Sequence, residues 1–80
     1  MSERLKTAVE YLVQSLVEFP DQVKLNAVSG EATTVFELRV AQSDLGKIIG
    51  KQGRTAQALR TLLTAASQRE NRKASLEILE

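Results

Sequence analysis

The chain contains no cysteine and no histidine. Without thiols it has no disulfide frame, no thiolate metal ligand and no thiol nucleophile, and without imidazole it lacks the commonest general base. Its 80 residues are enough for one small domain over residues 1–80, with little room for a deep pocket. We therefore expect a protein that is not an enzyme and that holds neither a metal nor a cofactor.

Aromatic residues and long apolar runs are also scarce. The aromatic residues are one tyrosine and two phenylalanines, at Tyr11, Phe19 and Phe36, which argues against a platform on which bases stack. No segment approaches the roughly 20 apolar residues of a membrane span, and the N-terminus has no apolar signal core. These absences predict a cytoplasmic protein without membrane insertion.

Positive charge is concentrated in one part of the chain. The net charge is +1, but residues 46–73 carry seven basic side chains and one acidic side chain, whereas residues 1–45 carry four basic and seven acidic ones. Such clustering is typical of a nucleic-acid contact. A solvated basic helix face would give the same pattern in one dimension.

The apolar pattern predicts six elements in the order αββααβ. Apolar residues at three- and four-residue spacing predict a first helix, with Ser2 as its N-cap and Pro20 after its end; its apolar stripe consists of Leu5, Ala8, Val9, Leu12, Val13, Leu16 and Val17. Alternation predicts a hairpin of two strands, near residues 23–27 and 33–40, and a last strand over residues 74–79. Between them lie a short helix, capped by Ser43 or Asp44 and ending at Ile49, and a longer helix that ends near Gln68.

The connections between these elements predict an α+β fold. Two helices link the second and third strands, a crossover long enough to make those strands parallel neighbours, while the hairpin strands are antiparallel. Alternation in every strand leaves one face of the sheet wet. We therefore expect a mixed three-stranded sheet with its helices packed on one face.

A tight turn with two glycines separates the two central helices. Gly50 can end the first helix in a left-handed conformation, and Gly53 leaves the first N–H groups of the next helix open. Those groups lie at the positive end of a helix dipole, where Lys47, Lys51 and Arg54 add charge, so the turn is a candidate phosphate site. In isolation the same two glycines could serve chain geometry alone.

Residues 45–54 resemble the signature of the K-homology (KH) domain, in which two aliphatic residues and a Gly-x-x-Gly turn join two helices. The additional helix and strand ahead of this core resemble the type II KH topology, and the match covers the whole chain. More narrowly, the run Gly50–Thr55 followed by Ala58–Leu63 is similar to the KhpA family of small bacterial KH proteins.

The resemblance implies an RNA-binding protein, acting as an RNA chaperone or post-transcriptional regulator. It also implies a homodimer, or a heteromer with a larger KhpB-like KH protein, in control of cell length and peptidoglycan homeostasis. About four nucleotides of single-stranded RNA are expected in a narrow groove, with the RNA backbone on the glycine turn and the bases against Ile48, Ile49, Leu59 and the neighbouring strand. The expected RNA-binding residues are Gly46, Lys47, Ile48, Ile49, Gly50, Lys51, Gln52, Gly53, Arg54 and Arg60.

Two other functions remain open at this point. A helix-turn-helix DNA binder would present one face of the longer helix to a major groove; that face carries Arg54, Gln57, Arg60, Thr61, Thr64 and Gln68. A protein-interaction module would use an exposed face and keep the glycine turn for structure only. A nucleotide-binding P-loop is excluded, because Gly46 and Gly50 are too close together and Gln52 follows Lys51. Arg72 and Lys73 are expected to be solvated charges, and Arg69 either a solvated charge or a favourable charge at the C-terminus of the longer helix.

Overall fold

The computed structural model describes residues 3–80, and its elements follow the predicted order αββααβ. The helices are α1 (Glu3–Leu16), α2 (Leu45–Ile49) and α3 (Arg54–Gln68), and the strands are β1 (Lys24–Ser29), β2 (Thr33–Arg39) and β3 (Lys73–Ile78). Short 3₁₀ turns occupy Pro20–Gln22, Gln42–Asp44 and Lys51–Gly53. The predicted N-cap Ser2 lies outside the described residues. Within residues 3–80, no helix is long and apolar enough to span a membrane.

The three strands form one mixed sheet in the order β1-β2-β3. β1 pairs with β2 antiparallel, and β2 pairs with β3 parallel. Phe36 in the central strand lies opposite Ala27 in β1 and Leu76 in β3, which fixes the register across the sheet. The predicted α+β architecture and its strand directions are confirmed, and β3 is left with one unpaired edge.

The core lies between one face of the sheet and the three helices. Phe36 and Leu38 of β2 are fully buried, together with Val13 of α1, Ile48 of α2 and Leu63 of α3. The alternate residues of β2 are exposed or half-buried, as expected when helices cover a single face. The alternation weakens toward the hairpin turn: Ala27 was predicted to face inward but is exposed, although it pairs with the buried Phe36.

The apolar stripe of α1 is only partly used for folding. Val9 and Val13 are buried, but Leu12 and Leu16 stay 41% and 45% exposed on the side that faces α3. A stripe predicted as core therefore splits into a buried edge and an exposed edge, because a helix with a broad apolar face packs on the sheet with only part of that face.

Arg72 holds the β1–β2 turn against the start of β3. Its guanidinium donates to the backbone carbonyl oxygens of Gly30 (3.0 Å), Glu31 (3.2 Å) and Thr33 (3.3 Å) and to the Thr34 hydroxyl (3.2 Å). The expectation of a solvated charge was wrong for this arginine. Its guanidinium instead supplies several donors to the carbonyl oxygens of the turn.

Candidate functional site

The glycine turn begins with a residue whose conformation requires glycine. Gly50 ends α2 with φ 77° and ψ 170°, a region that is essentially closed to other residues, and its N–H donates to the Gly46 carbonyl at 2.9 Å. A Cβ at Gly50 would lie 2.7 Å from both the Cβ and the backbone N of Thr55. The backbone at Gly50 therefore packs directly on the first turn of α3, and its glycine serves the fold.

Gly53, three residues later, has a different environment. It adopts a left-handed conformation, with φ 75° and ψ 12°, just before α3, and its N–H donates to the Gly50 carbonyl at 3.1 Å. No heavy atom outside its immediate neighbours lies within 4 Å of the place where its Cβ would be. The missing side chain leaves open space beside the turn, and nothing in the fold fills that space.

The tip of the turn, between the glycines, is exposed and strained. Gln52 has φ 58° and ψ 27°, a left-handed conformation that is costly for a residue other than glycine. Arg54 donates to the Gln52 side-chain oxygen at 3.3 Å, and Lys51 is exposed beside them. No side chain caps the start of α3, so the N–H groups of its first turn lack a capping partner. Lys51, Arg54 and this helix end together form a positive rim.

A groove of about 350 Å³ runs beside the turn, between the start of α3 and the free edge of β3. Both apolar and charged residues line it. The residues that line it are Leu45, Ile49, Gly53, Ala56, Arg60, Leu76, Glu77, Ile78 and Glu80. The volume is at the small end of the range of ligand sites, and no lining residue is aromatic.

Of the three aliphatic residues expected to contact bases, the structure brings one into this groove. Ile49 is 43% exposed and lies on its wall, whereas Ile48 is wholly buried in the core and Leu59 faces away, toward α1. Successive residues of a helix point about 100° apart, so Ile48 and Ile49 cannot share one surface. The missed wall residue Leu45 lies four positions before Ile49, a spacing that could have identified it.

Lys47 was expected to contact phosphate, but it is engaged with acidic residues away from the tip. Its Nζ lies 3.5 Å from a carboxylate oxygen of Glu18 and 3.6 Å from one of Asp44. It does not line the groove beside the turn. Gly46, also expected at the site, lies on the exposed side of α2 and likewise outside the lining.

Asp44 is buried, and its carboxylate joins the α1–β1 connection to α2. It accepts the N–H groups of Glu18 and Phe19, both at 3.0 Å. Burial by itself raises the pKa of Asp44, but these two hydrogen bonds and the charge of Lys47 outweigh it and hold the pKa below its ordinary value. The expectation that the Asp44 side chain caps α2 was wrong, since it makes no capping bond there and binds a segment 26 residues away.

A second groove, of about 400 Å³, lies on the other side of α3, against α1. It is almost entirely apolar, and Leu62 at its edge is 55% exposed. Its lining residues are Leu12, Ser15, Leu16, Arg54, Thr55, Ala58, Leu59 and Leu62. α3 therefore separates a groove lined by apolar and charged residues from an apolar one.

Two of the hydroxyls on the outward face of α3 are engaged within the helix itself. The Thr61 hydroxyl donates to the Gln57 carbonyl at 3.0 Å, and the Thr64 hydroxyl donates to the Arg60 carbonyl at 2.9 Å. These back-bonds use hydroxyls that a helix-turn-helix reading would assign to bases. In the part of the chain that the structure describes, no group of three or more acidic, histidine or cysteine side chains could hold a metal ion.

The family model and the curated relatives that match this chain name the same family. The family model for the KH domain of KhpA and KhpB matches residues 6–78. The RNA-binding protein KhpA of Borreliella burgdorferi is 56% identical over 72 residues, which cover 90% of this chain and 88% of that protein. Proteins of the same description from Chlamydia trachomatis and Clostridium acetobutylicum are 50% and 45% identical, over 95% and 94% of this chain and 97% and 100% of their own lengths. No solved structure matches the chain.

Proposed function

Since this chain belongs to the KhpA/KhpB KH-domain family, we propose that it binds single-stranded RNA at the Gly50–Gly53 turn and in the groove beside it. The relatives named as RNA-binding proteins support the class of ligand. The observation that carries the location is the open space at Gly53, between the exposed Lys51 at the tip and the groove beside the turn. Such a groove holds about four nucleotides.

Phosphates bind at the turn in this proposal. Lys51 is exposed at the tip, and the uncapped start of α3 supplies positive charge beside Gly53, while the exposed Arg54 side chain lies at the same helix end on the side of the groove against α1. Because Gly53 has no side chain, a phosphate can approach the backbone there, and Gln52 at the tip offers a neutral polar contact. Arg60, which lines the same groove farther along α3, can bind the next phosphate.

Bases lie on the apolar residues of the groove in the same proposal. These residues come from α2, α3 and β3 and are Leu45, Ile49, Ala56, Leu76 and Ile78. Aliphatic side chains contact base faces, and these faces are accessible only when the RNA is unpaired. The groove therefore suits single strands, consistent with a protein that acts as an RNA chaperone or post-transcriptional regulator.

Binding measurements test this proposal directly. Fluorescence anisotropy with short single-stranded RNA, across a salt series, compares the natural protein with Lys51→Asp/Gln52→Asp. With roughly three phosphates neutralised, the slope of log K against log salt is expected near −2, and the double variant is expected to lose binding. The control Lys24→Asp/Asn26→Asp makes the same charge change on the outer sheet face and should keep most of the affinity. Equal loss in both variants, or binding by neither the natural protein nor the control, would overturn the proposal.

The apolar groove between α1 and α3 supports the proposal that the domain acts in pairs. One small RNA groove gives limited affinity, and two linked grooves bind far more tightly. Leu12, Leu16 and Leu62 are exposed together there, on a surface that a second KH domain of this family could cover. We place the homodimer contact on this surface, and a larger KhpB-like partner would use the same one.

Sedimentation velocity tests the pairing. Leu62→Glu is expected to give a monomer at concentrations where the natural protein is a dimer, because a carboxylate in an apolar contact is costly. The adjacent Thr61→Glu, on the polar face of α3, is the matched control and should remain a dimer. A natural protein that is monomeric throughout, or dimers that survive Leu62→Glu, would contradict this surface.

The cellular role in the proposal follows from the family. With a KhpB-like partner, the protein would contribute to cell length and peptidoglycan homeostasis. A strain lacking the protein should show altered cell length, which the natural gene restores and Leu62→Glu does not. Full restoration of cell length by Leu62→Glu would show that this role does not depend on pairing.

A further inference from the structure

A shallow depression continues the RNA groove along α3. It lies on the outward face of the helix, has a volume of about 290 Å³ and shares Arg60 with the groove beside the turn. A helix places residues three and four positions apart on one face, so the side chains that line the depression form a single stripe. They are Gln57, Arg60, Thr61, Thr64, Ala65 and Gln68.

A further depression, of about 280 Å³, lies where α3 connects to β3. It shares Gln68 with the depression on α3, and its other lining residues are Ala32, Asn71, Arg72 and Lys73. We call the surface formed by these two depressions the α3 track. It leads from the RNA groove to the far end of α3, a helix of 15 residues that is roughly 22 Å long.

The charge of the α3 track suits a polyanion. α3 has no acidic residue, and neither Arg60 nor Lys73 forms a salt bridge among residues 3–80. Arg72 donates to three carbonyl oxygens and one hydroxyl, so no carboxylate neutralises its charge. Glu70, in the same connection, is not among the lining residues. The track therefore carries positive charge at both of its ends, and no acidic side chain lines it.

The donors of the α3 track match a phosphate backbone. Thr61 and Thr64 use their hydroxyl protons on carbonyl oxygens of the helix itself. The groups left for a ligand are the side-chain amides of the exposed Gln57 and Gln68 and the cations at the two ends. A phosphate oxygen accepts hydrogen bonds from amides, guanidinium and ammonium groups alike.

We propose that the α3 track binds a second segment of the same RNA strand, beyond the nucleotides held in the groove. This inference rests on the proposed RNA binding at the glycine turn. Arg60 lies at the junction, and the phosphates that follow bind Gln68 and Lys73. Contacts to phosphates position a strand without reading its bases. The track therefore extends the footprint past the about four nucleotides of the groove, and it adds affinity without sequence preference.

Anisotropy with labelled oligo(U) of about five and about twelve nucleotides tests the inference, because only the longer strand extends beyond the groove. In Gln68→Glu/Lys73→Glu, affinity for the short oligonucleotide should stay within about twofold of the natural protein, which also shows that the variant is folded. Affinity for the long one should fall about tenfold. Gln22→Glu/Lys24→Glu makes the same two changes beside β1, outside the track, and should keep both affinities.

A salt series gives a second readout. In the natural protein, the slope of log K against log salt should be steeper for the long oligonucleotide than for the short one, by about 0.7 for each additional phosphate contact. In Gln68→Glu/Lys73→Glu the two slopes should become equal, because the groove then makes the contacts alone.

The outcomes separate the α3 track from the groove. Unchanged binding of the long oligonucleotide in Gln68→Glu/Lys73→Glu overturns the inference and leaves the proposed function intact. An equal loss for both lengths, or an equal loss in the control variant, also overturns it, because the added charge then acts at a distance. A steeper slope for the long strand that persists in the variant assigns the extra contacts to a strand that bridges two paired domains, against the inference. Failure of the natural protein to bind either oligonucleotide overturns the proposed function and the inference together.

Discussion

The two ends of the glycine turn differ in how many of their groups are engaged with other residues of the fold. At the α2 end, Gly50 packs on Thr55, and Lys47 is engaged with Glu18 and Asp44. At the α3 end, Lys51 is exposed, the space beside Gly53 is empty, and the start of α3 has no capping side chain. The two glycines of one motif therefore have different roles: Gly50 builds the turn, and Gly53 leaves open space beside it.

Gly50→Ala would have the largest effect, and it tests the structural half of the comparison. An alanine at this φ and ψ is strained, and its Cβ would overlap Thr55, so we expect a loss of about 3–5 kcal/mol in the free energy of unfolding. Urea denaturation measures the change. A variant as stable as the natural protein would show that the α2 end does not depend on glycine.

Asp44→Asn is expected to have the next largest effect, and it tests the hydrogen bonds that join the α1–β1 connection to the start of α2. The amide cannot accept both backbone N–H groups as well as a carboxylate does, so we expect the melting temperature at pH 7 to fall by roughly 10 °C.

The pH dependence of that difference provides the check. Because the folded pKa of Asp44 lies below its ordinary value, the carboxylate stabilises the fold fully above the ordinary value of 3.8, and this contribution is lost as the pH falls through the folded pKa. The gap in melting temperature should therefore be constant near neutral pH and shrink in acid. A gap that is unchanged in acid would assign the loss to packing alone.

Gly53→Asn tests the open half of the comparison. Asparagine tolerates the left-handed conformation and meets no neighbour there, so stability should change by less than about 1 kcal/mol. The new side chain would occupy the space beside the groove, and we expect RNA affinity to fall about tenfold. Gly30→Asn, in the distant hairpin turn, is the control for the substitution itself. Unchanged affinity in Gly53→Asn would place the phosphate elsewhere.

Lys51→Ala and Lys47→Ala sharpen the comparison between two lysines four residues apart. Loss of the proposed phosphate contact at Lys51 should reduce RNA affinity several-fold. It should also make the slope of log K against log salt shallower by about 0.7. Lys47 is already engaged with two carboxylates, so its removal should change affinity less. A larger loss of RNA affinity in Lys47→Ala than in Lys51→Ala would place the phosphate contact at the α2 end of the turn instead.

Gln52→Gly would have the smallest effect. Glycine relieves the left-handed strain at the tip but adds entropy to the unfolded chain, so we expect a net gain in stability of about 0.5 kcal/mol. Denaturant titration detects it against the natural protein. A clear loss of stability would mean that the bond from Arg54 to Gln52 outweighs the strain.

Much of the fold followed from patterns that are local in the sequence. Alternation in β2 placed Phe36 and Leu38 in the core, and the two-helix crossover made β2 and β3 parallel. The turn itself was recognisable from Gly50, Gly53 and the apolar pair before them. These features depend on neighbouring residues and on chain connectivity, which a sequence displays directly.

The errors arose where a side chain meets a distant segment. Asp44 binds the backbone of Glu18 and Phe19, and Arg72 binds the β1–β2 turn, and neither contact leaves a periodic signal. Both residues had been given ordinary local roles, as a helix cap and a solvated charge. The base groove was also misassigned, because Leu59 faces α1 and the wall opposite the turn comes from β3.

An NMR titration of the ¹⁵N-labelled protein with short single-stranded RNA tests the central claim most directly. The account predicts that the largest amide shifts fall on Lys51, Gly53 and Arg54, with smaller ones on Ile49 and Ile78 along the groove, while α1 and the outer face of the sheet stay unchanged. Shifts centred on Leu12, Leu16 and Leu62, or on the outer sheet face with the turn unaffected, would contradict it.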